Sequence, residues 1–375
     1  MSDAILLKAI LDQIDDGVYT DVFMRPGEET RVKTPSGWKR ISDFAEGTKP
    51  APLSRDWLSR FVAQMCGEER WFDALRASKE SRAFMFPFDP REIRMRCKVA
   101  LCADPLGKGS DFTVHLRNLP TEVPVLDTLG VLSGIKNWLS PSGGLIIVTG
   151  QICSGKTTTL ASLIRHINDT RHANIVTLEL LAEYVHESAR SIVTQRTIPD
   201  PVPTFLQGIE DALAGQAVDV MMIGEVVDKP TMDAMLRAAE SGHLVLATMH
   251  AKNAAGAISR IVDMFPIEEQ RLRLSMLADK LIGVIAQKLL PAAGKVPRYV
   301  LAYELLRNAT PAVAEAIRRN DTNALQAQAL QGGDQGMVTL NQSLAQLFKA
   351  GSIDRNIALD ATYERRELEE MLRKR

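Results

Sequence analysis

Apolar residues in the second part of the chain recur in short runs separated by stretches with helical spacing. Five of these runs are rich in β-branched residues and predict strands: 145–148, 175–178, 220–223, 244–248 and 299–303. Strands that alternate with helices predict a largely parallel sheet with helices on its faces. The run 272–290 predicts one long helix that ends at Pro291, and 311–375 predicts further helices with glycine-rich breaks.

The first 118 residues follow a different pattern. Apolar and polar residues alternate at 93–101 and again at 112–116, on either side of a turn-rich stretch, which predicts a β-hairpin with one basic face. That face is either a solvated sheet surface or part of a subunit boundary. We interpret 1–118 as an α+β domain, 119–134 as a linker with an extended Pro-containing connector, and 135–375 as a second domain.

Composition restricts the function further. The chain has 375 residues with 45 Lys and Arg against 46 Asp and Glu, so it lacks the basic excess that drives non-specific nucleic-acid binding. No apolar run approaches the ~20 residues that span a bilayer. The four cysteines form no C-x-x-C pair, which argues against a zinc knuckle or a disulfide framework and favours a reducing, cytoplasmic location.

Residues 150–157 match the phosphate-binding pattern G-x-x-x-x-G-K-S/T, with an apolar run before them and helical spacing after them. The backbone N–H groups of such a loop and the positive end of the next helix bind a polyanion. Lys156 is expected to reach the β- and γ-phosphates of ATP, and Thr157 to hold Mg²⁺. A positive φ at Cys153 would cost about 1 kcal/mol. The predicted loop contacts are Gly150, Cys153, Ser154, Gly155, Lys156, Thr157 and Thr158.

Polar residues follow three more of the predicted strands. Glu179, Glu225 and His250 each stand just after an apolar run. Because ligands bind beyond the carboxyl ends of parallel strands, we expect these side chains to converge on the phosphate loop. Glu225 is predicted to orient or deprotonate the attacking water, and His250 to sense the γ-phosphate. Glu179 either binds the metal ion or the water, or caps the next element.

These motifs resemble the type IV pilus and type II–type IV secretion ATPase family, and within it the PilT-like branch. The matching stretches are 148–150, 154–161, 194–196, 223–225, 238–245, 248–250, 260–266, 287–291, 316–319 and 336–344. The resemblance covers most of 120–360 and is weak in the N-terminal domain. It implies an α/β fold class: a RecA-like P-loop ATPase domain with a mostly parallel sheet, preceded by an α+β PAS-like domain and followed by a helical C-terminus.

The resemblance also implies a ring, normally of six subunits, at the cytoplasmic face of the bacterial inner membrane. Such a ring binds ATP and Mg²⁺ and moves an inner-membrane platform protein; direct nucleic-acid binding is not expected. Within the family pattern Lys156 matches the phosphate-loop lysine and Glu225 the catalytic glutamate. His250 matches the conserved histidine, and Glu179, a metal ligand candidate with Thr157, matches the acidic-box glutamate. Arg117 and Arg96 fall where the N-terminal domain supplies arginines to the phosphates.

The chain departs from the family pattern at three places. Leu180 stands where the acidic box has Asp, Asp211 and Gly215 stand where the family has an arginine pair, and Gln151 and Cys153 replace Pro and Gly in the loop. The expectation is a mechanochemical ATPase, with a retraction-type motor favoured and a conjugation or type IVB secretion ATPase possible. The alternative is an accessory nucleotide-binding ring subunit with weak hydrolysis. A nucleic-acid motor or a small-molecule kinase is less favoured.

Overall fold

The computed structural model describes residues 21–34, 37–43, 52–88, 93–103, 109–119, 122–215, 217–294 and 299–373. They divide into two compact units. The described residues up to 119 form the first unit, and the described residues of 122–293 and 299–373 form the second.

The first unit is built on a six-stranded antiparallel sheet. Its strands, in the order β3-β2-β1-β6-β5-β4, are β1 (Asp21–Met24), β2 (Arg31–Thr34), β3 (Gly37–Arg40), β4 (Arg82–Phe88), β5 (Ile93–Ala103) and β6 (Ser110–Leu119). Helices α1 (Arg55–Cys66) and α2 (Trp71–Ser78) pack on it. The predicted hairpin is the β5–β6 pair, in which Val99 and Val114 lie opposite each other and are both buried.

The second unit contains a seven-stranded sheet in the order β13-β12-β7-β11-β10-β8-β9. The strands are β7 (Gly144–Gly150), β8 (Asn174–Glu179), β9 (Ile192–Thr197), β10 (Val220–Ile223), β11 (Leu244–Met249), β12 (Leu281–Pro291) and β13 (Tyr299–Arg307). Neighbouring strands are parallel except β12 and β13, which are antiparallel. The predicted α/β class with a mostly parallel sheet is confirmed.

Helices cover both faces of this sheet. Successive residues of a strand point to opposite faces, so they pack into two different hydrophobic cores. Leu145 and Ile147 of β7 belong to one core, and Ile146 and Val148 to the other. The helices are α3 (Lys156–Thr170), α4 (Phe205–Leu213), α5 (Lys229–Glu240), α6 (Ala254–Asp263), α7 (Ile267–Lys280), α8 (Pro311–Arg318), α9 (Thr322–Gln331), α10 (Leu340–Lys349), α11 (Arg355–Ala361) and α12 (Arg365–Arg373). Two 3₁₀ helices, Leu126–Leu129 and Val131–Leu139, precede β7.

The prediction of one long helix over 272–290 is wrong. Helix α7 ends at Lys280, and the remaining residues form β12 between β7 and β13. Successive residues of β12 enter cores on both faces of the sheet, so its apolar run cannot be told from a buried helix by periodicity. Gly283 fits the strand closely against its surroundings, because a Cβ there would lie 2.4 Å from the Trp138 ring. Strand β9, whose Ile192 is exposed and whose 194–196 is polar, was not predicted.

A buried carboxyl group in β13 makes the stability of the second unit depend on pH. Glu304 is 9% exposed, and burial raises its pKa from the usual 4.5 to about 7, against the opposing effect of a hydrogen bond from the Ala254 N–H. The folded-state pKa of Glu304 is higher than its unfolded-state pKa, so the folded protein holds this proton more tightly. The resulting contribution to the free energy of unfolding is complete below the unfolded-state pKa and is lost as pH rises through the folded-state pKa. We expect the free energy of unfolding to fall by up to about 3 kcal/mol on this account between pH 5 and pH 8.

Urea unfolding at those two pH values checks this expectation. In Glu304→Gln the pH dependence should shrink by that amount, because an amide does not titrate in this range. An equal pH dependence in both proteins would contradict it.

Candidate nucleotide-binding and active site

The phosphate loop joins β7 to α3 and adopts several left-handed backbone conformations. The φ angles are 150° at Gly150, 62° at Cys153 and 85° at Gly155. A Cβ on Gly150 would lie 2.4 Å from the Gln287 carbonyl oxygen and 2.6 Å from Ser154 Oγ, so a larger residue does not fit. The exposed Cys153 therefore carries the backbone strain that a positive φ imposes on a residue with a Cβ.

Lys156 begins α3 and folds back across this loop. Its Nζ donates hydrogen bonds to the carbonyl oxygens of Gly150 (3.1 Å) and Gln151 (2.8 Å), and it lies 3.4 Å from His250 Nδ1. Burial lowers the pKa of Lys156, and the charge of Glu225 acts in the opposite direction. The ammonium group is therefore partly desolvated and is held over the loop by neutral acceptors. In this position it can exchange the carbonyl oxygens for the oxygens of a bound anion.

Glu225 and His250 meet beside Lys156. Strands β10 and β11 are neighbours, with Ile223 paired to Ala247, so the residues just beyond their ends lie at the same edge. His250 Nε2 is 2.8 Å from Glu225 Oε1, and His250 Nδ1 is 3.2 Å from the Gly150 carbonyl oxygen. Both side chains remain about one third exposed, at 34% and 32%. We call Lys156, His250 and Glu225 the polar relay.

Glu179 ends β8, the strand next to β10, and is buried. It accepts hydrogen bonds from Thr177 Oγ1 (2.8 Å) and Gln195 Nε2 (3.1 Å). A Cβ on Gly224 would lie 3.4 Å from Glu179 Cα, which places Glu179 against the segment that carries Glu225. The structure thus assembles the loop, the polar relay and Glu179 at one edge of the sheet, and their catalytic roles stay predictions.

The remaining loop residues have defined surroundings. Ser154 is buried, and its carbonyl oxygen accepts a hydrogen bond from Gln287 Nε2 at 2.7 Å. Thr158 Oγ1 is 2.9 Å from the hydroxyl of Tyr184, which is also buried. Thr157, at the second position of α3, is partly buried.

Arg117 and Arg96 belong to the first unit, where they are cross-strand neighbours in the β5–β6 pair. Arg117 Nε donates a hydrogen bond to Asp21 Oδ1 at 2.8 Å, and His115 Nε2 is 3.1 Å from the same oxygen. Asp21 is buried, so this arginine balances a charge within its own unit. Phosphate binding by the two arginines stays a prediction.

Gln287 is a site residue that sequence reasoning missed. It pairs with Gly150 in the β12–β7 register, and its Oε1 has no hydrogen-bond partner among the residues that the structure describes. The signal was present, because 287–291 was one of the stretches that resembled the family. The prediction of a helix over this run hides the role of Gln287, because a helix would not place its amide beside the phosphate loop.

Tyr363 connects the C-terminal helices to the segment that follows His250. Its hydroxyl donates a hydrogen bond to the Lys252 carbonyl oxygen. Lys288 Nζ lies 3.9 Å from the centroid of the Tyr363 ring and Lys252 Nζ lies 4.7 Å from it. Burial lowers the pKa of Lys288, and the charge of the neighbouring Lys252 lowers it further, so the two ammonium groups share the ring against their mutual repulsion.

Comparison with known proteins assigns this arrangement to a family. Residues 129–349 match the type II/IV secretion system protein family. The chain is 36% identical to the type IV pilus retraction ATPase PilT of Pseudomonas aeruginosa over 252 residues, which are 67% of this chain and 71% of the relative.

Solved structures of related ATPases have a similar fold. The crystal structure of the pilus retraction motor PilT with bound ADP superposes with a TM-score of 0.78 at 32% identity, covering 96% of this chain and 98% of that one. The X-ray structure of the Legionella pneumophila ATPase DotB gives a TM-score of 0.80 at 25% identity, covering 94% of each chain.

Among the described residues, the helices are too short or too polar to cross a bilayer. The family match and the relatives agree, and the chain therefore belongs to the type II/IV secretion system protein family, as one of its PilT-like ATPases.

Proposed function

We propose that this chain couples MgATP hydrolysis to movement of a type IV pilus or a related secretion or conjugation machine, as a subunit of a ring of six. A retraction-type motor is favoured, because the relative with pilus retraction in its name and the retraction motor with bound ADP both cover most of the chain. The observation that carries the proposal is the polar relay, in which Glu225, His250 and Lys156 are joined by close contacts at the phosphate loop.

The relay suits water attack on a γ-phosphate. The loop N–H groups and the start of α3 bind the phosphates, and Lys156 moves from the loop carbonyls to the phosphate oxygens, where its charge stabilises the transition state. Glu225 orients the water and accepts its proton. His250 lies between Glu225 and Lys156. Its Nδ1 is on the side of Lys156, and through it His250 senses the γ-phosphate.

Mg²⁺ is a hard cation that prefers oxygen ligands and keeps several waters. The Thr157 hydroxyl and the Glu179 carboxylate supply that donor chemistry, and both belong to the second unit. When bound, the ion neutralises charge on the β- and γ-phosphates. Hydrogen bonds from Thr177 and Gln195 to one carboxylate oxygen fix the orientation of Glu179.

The remaining parts of the proposal follow the family resemblance. Arg117 and Arg96 are proposed to contact the phosphates from the N-terminal domain. The partner is proposed to be an inner-membrane platform protein, with the ring at the cytoplasmic face of that membrane.

Two departures from the family pattern favour the alternative of an accessory subunit with weak hydrolysis. Leu180 stands where the family has the acidic-box Asp, and its apolar side chain is 56% exposed. Asp211, in place of a family arginine, lies 3.8 Å from Arg196 and accepts a hydrogen bond from Gln207 at 2.8 Å. Leu180 therefore supplies no carboxylate to a metal ion or a water, and Asp211 supplies no positive charge to a transition state.

The experiment measures assembly and movement separately. Native mass spectrometry with MgATP is expected to give a hexamer, and expression in a pilus-bearing bacterium that lacks its own retraction ATPase is expected to restore twitching. A hexamer that hydrolyses ATP but restores no twitching would point to another machine. A hexamer with turnover equal to that of Lys156→Ala would establish the accessory alternative, and a monomer under all conditions would contradict the ring.

A further inference from the structure

A cavity of about 300 Å³ lies between β13 and the C-terminal helices of the second unit. Its walls come from β13, α9, the start of α10 and the start of α12, together with Asn253, the residue before α6. We call it the acidic cavity. Its volume is at the lower end of the range of about 300–1,000 Å³ that small-molecule sites occupy.

The lining of the acidic cavity carries negative charge. It includes the carboxyl groups of Glu304, Glu364 and Glu367. Among the described residues that line it, none is a lysine, an arginine or a histidine, and the two lysines that contact the Tyr363 ring lie outside this lining. Opposite charges attract more strongly away from bulk water, so the cavity favours a positively charged ligand.

The three carboxyl groups lie at different depths. Glu304 is 9% exposed, Glu367 is half-buried and Glu364 is exposed. The Ala254 N–H donates a hydrogen bond to Glu304, but no lysine or arginine in the described part of the chain pairs with it. A buried carboxylate without a cation is unfavourable, and an ammonium group in the cavity would supply the partner that the protein itself does not.

This arrangement suits an extended organic cation better than a metal ion. Within the described residues, no group of three carboxylate, histidine or cysteine side chains could hold a metal ion. The lining also has apolar surface, which is formed by Ala327, Ala329, Leu330 and Leu340. A methylene chain can pack on such surface while charged ends reach polar groups, as the stem of a lysine side chain does.

We propose that the acidic cavity binds a linear aliphatic diamine, with one ammonium group at Glu304 and the other at Glu364 and Glu367 nearer the solvent. The amide oxygens of Asn323 and Gln326 on α9 can accept further hydrogen bonds from the ammonium groups. A ligand that carries its own carboxylate is repelled by the lining, so the site distinguishes a diamine from a free amino acid. The proposal holds whether or not the chain is a motor.

Calorimetric titration without nucleotide tests this proposal with three probes: cadaverine, pentylamine and lysine. Pentylamine lacks one amino group of cadaverine, and lysine is cadaverine with an added carboxylate. The titrations are made at pH 8, above the pKa of about 7 to which burial raises Glu304, so that this group is ionised. The unchanged protein should bind cadaverine at least about tenfold more tightly than either of the other probes.

Three variants locate the two ends of the ligand. Glu304→Gln keeps the size of the side chain but removes its charge, and it should weaken cadaverine binding by about tenfold or more. Glu364→Gln should weaken cadaverine binding by about threefold and leave pentylamine binding unchanged, because the single ammonium group of pentylamine lies at Glu304. Glu370→Gln removes an exposed carboxylate of α12 that does not line the cavity, and it should bind cadaverine as the unchanged protein does.

The proposal is overturned if the unchanged protein does not bind cadaverine at millimolar concentration, or if it binds the three probes equally. Equal cadaverine affinity in Glu304→Gln and the unchanged protein would also contradict it. Glu364 is exposed, so Glu364→Gln keeps the test decisive even where Glu304→Gln unfolds. Nucleotide is absent from all these titrations, and their outcome is therefore independent of the proposed function.

Discussion

Glu225→Gln is expected to lower the ATP turnover number by about a hundredfold to a thousandfold while ATP affinity stays within about threefold. Glutamine keeps the size of the side chain and can still accept a hydrogen bond from His250 Nε2, which lies 2.8 Å from the carboxylate. It cannot accept a proton from water. Binding depends mainly on the phosphate loop, which this change leaves intact, so kcat and affinity should separate.

Phosphate release and equilibrium binding of a fluorescent ATP analogue check this expectation. Glu240→Gln is the matched control, because Glu240 is exposed at the end of α5, before the start of β11 and hence at the opposite edge of the sheet. It should retain normal turnover. If Glu225→Gln also keeps near-normal turnover, Glu225 is not the general base.

Lys156→Ala is expected to weaken ADP binding by about a hundredfold or more. The ammonium group is partly buried, its pKa is lowered by that burial, and its hydrogen bonds are to two loop carbonyls. A phosphate group restores the favourable electrostatic environment that burial removed, so the free energy of this contact is large. Alanine offers the phosphates no charge at this position.

Thermal unfolding with and without ADP measures this effect. The unchanged protein should gain about 2.7 kcal/mol of stability at an ADP concentration one hundred times its Kd, and Lys156→Ala at the same concentration should gain less than about 0.5 kcal/mol. Lys349→Ala, which removes an exposed lysine at the end of α10, should behave like the unchanged protein. An undiminished ADP shift in Lys156→Ala would contradict the assignment of this lysine to phosphate binding.

The sequence allowed the meeting of Glu225, His250 and Lys156 to be anticipated for a topological reason. Parallel strands end at the same edge, so a polar residue just past each of several apolar runs can be placed without knowing any side-chain contact. The energetic cost of a positive φ at Cys153 could also be predicted, because a loop of this kind turns its backbone N–H groups inward. These inferences depend on local pattern and strand direction, both of which a sequence contains.

Other parts of the site could not be anticipated because they depend on pairing between distant segments. The amide of Gln287 reaches the loop since β12 lies beside β7, and an apolar run that is buried on both faces does not reveal whether it is a strand. Gln195 holds Glu179 from β9, an edge strand with little apolar character. Neither contact leaves a periodic signal in the sequence.

The hydrogen bond from Tyr363 to the Lys252 carbonyl oxygen has a practical consequence for anyone who shortens this protein. Lys252 stands two residues after His250, so Tyr363, in the segment between α11 and α12, anchors the segment that follows this histidine. Removing residues from 363 onward to aid crystallisation would break that hydrogen bond, and kinetic constants from such a shortened protein would then describe a site whose neighbouring segment has lost this anchor.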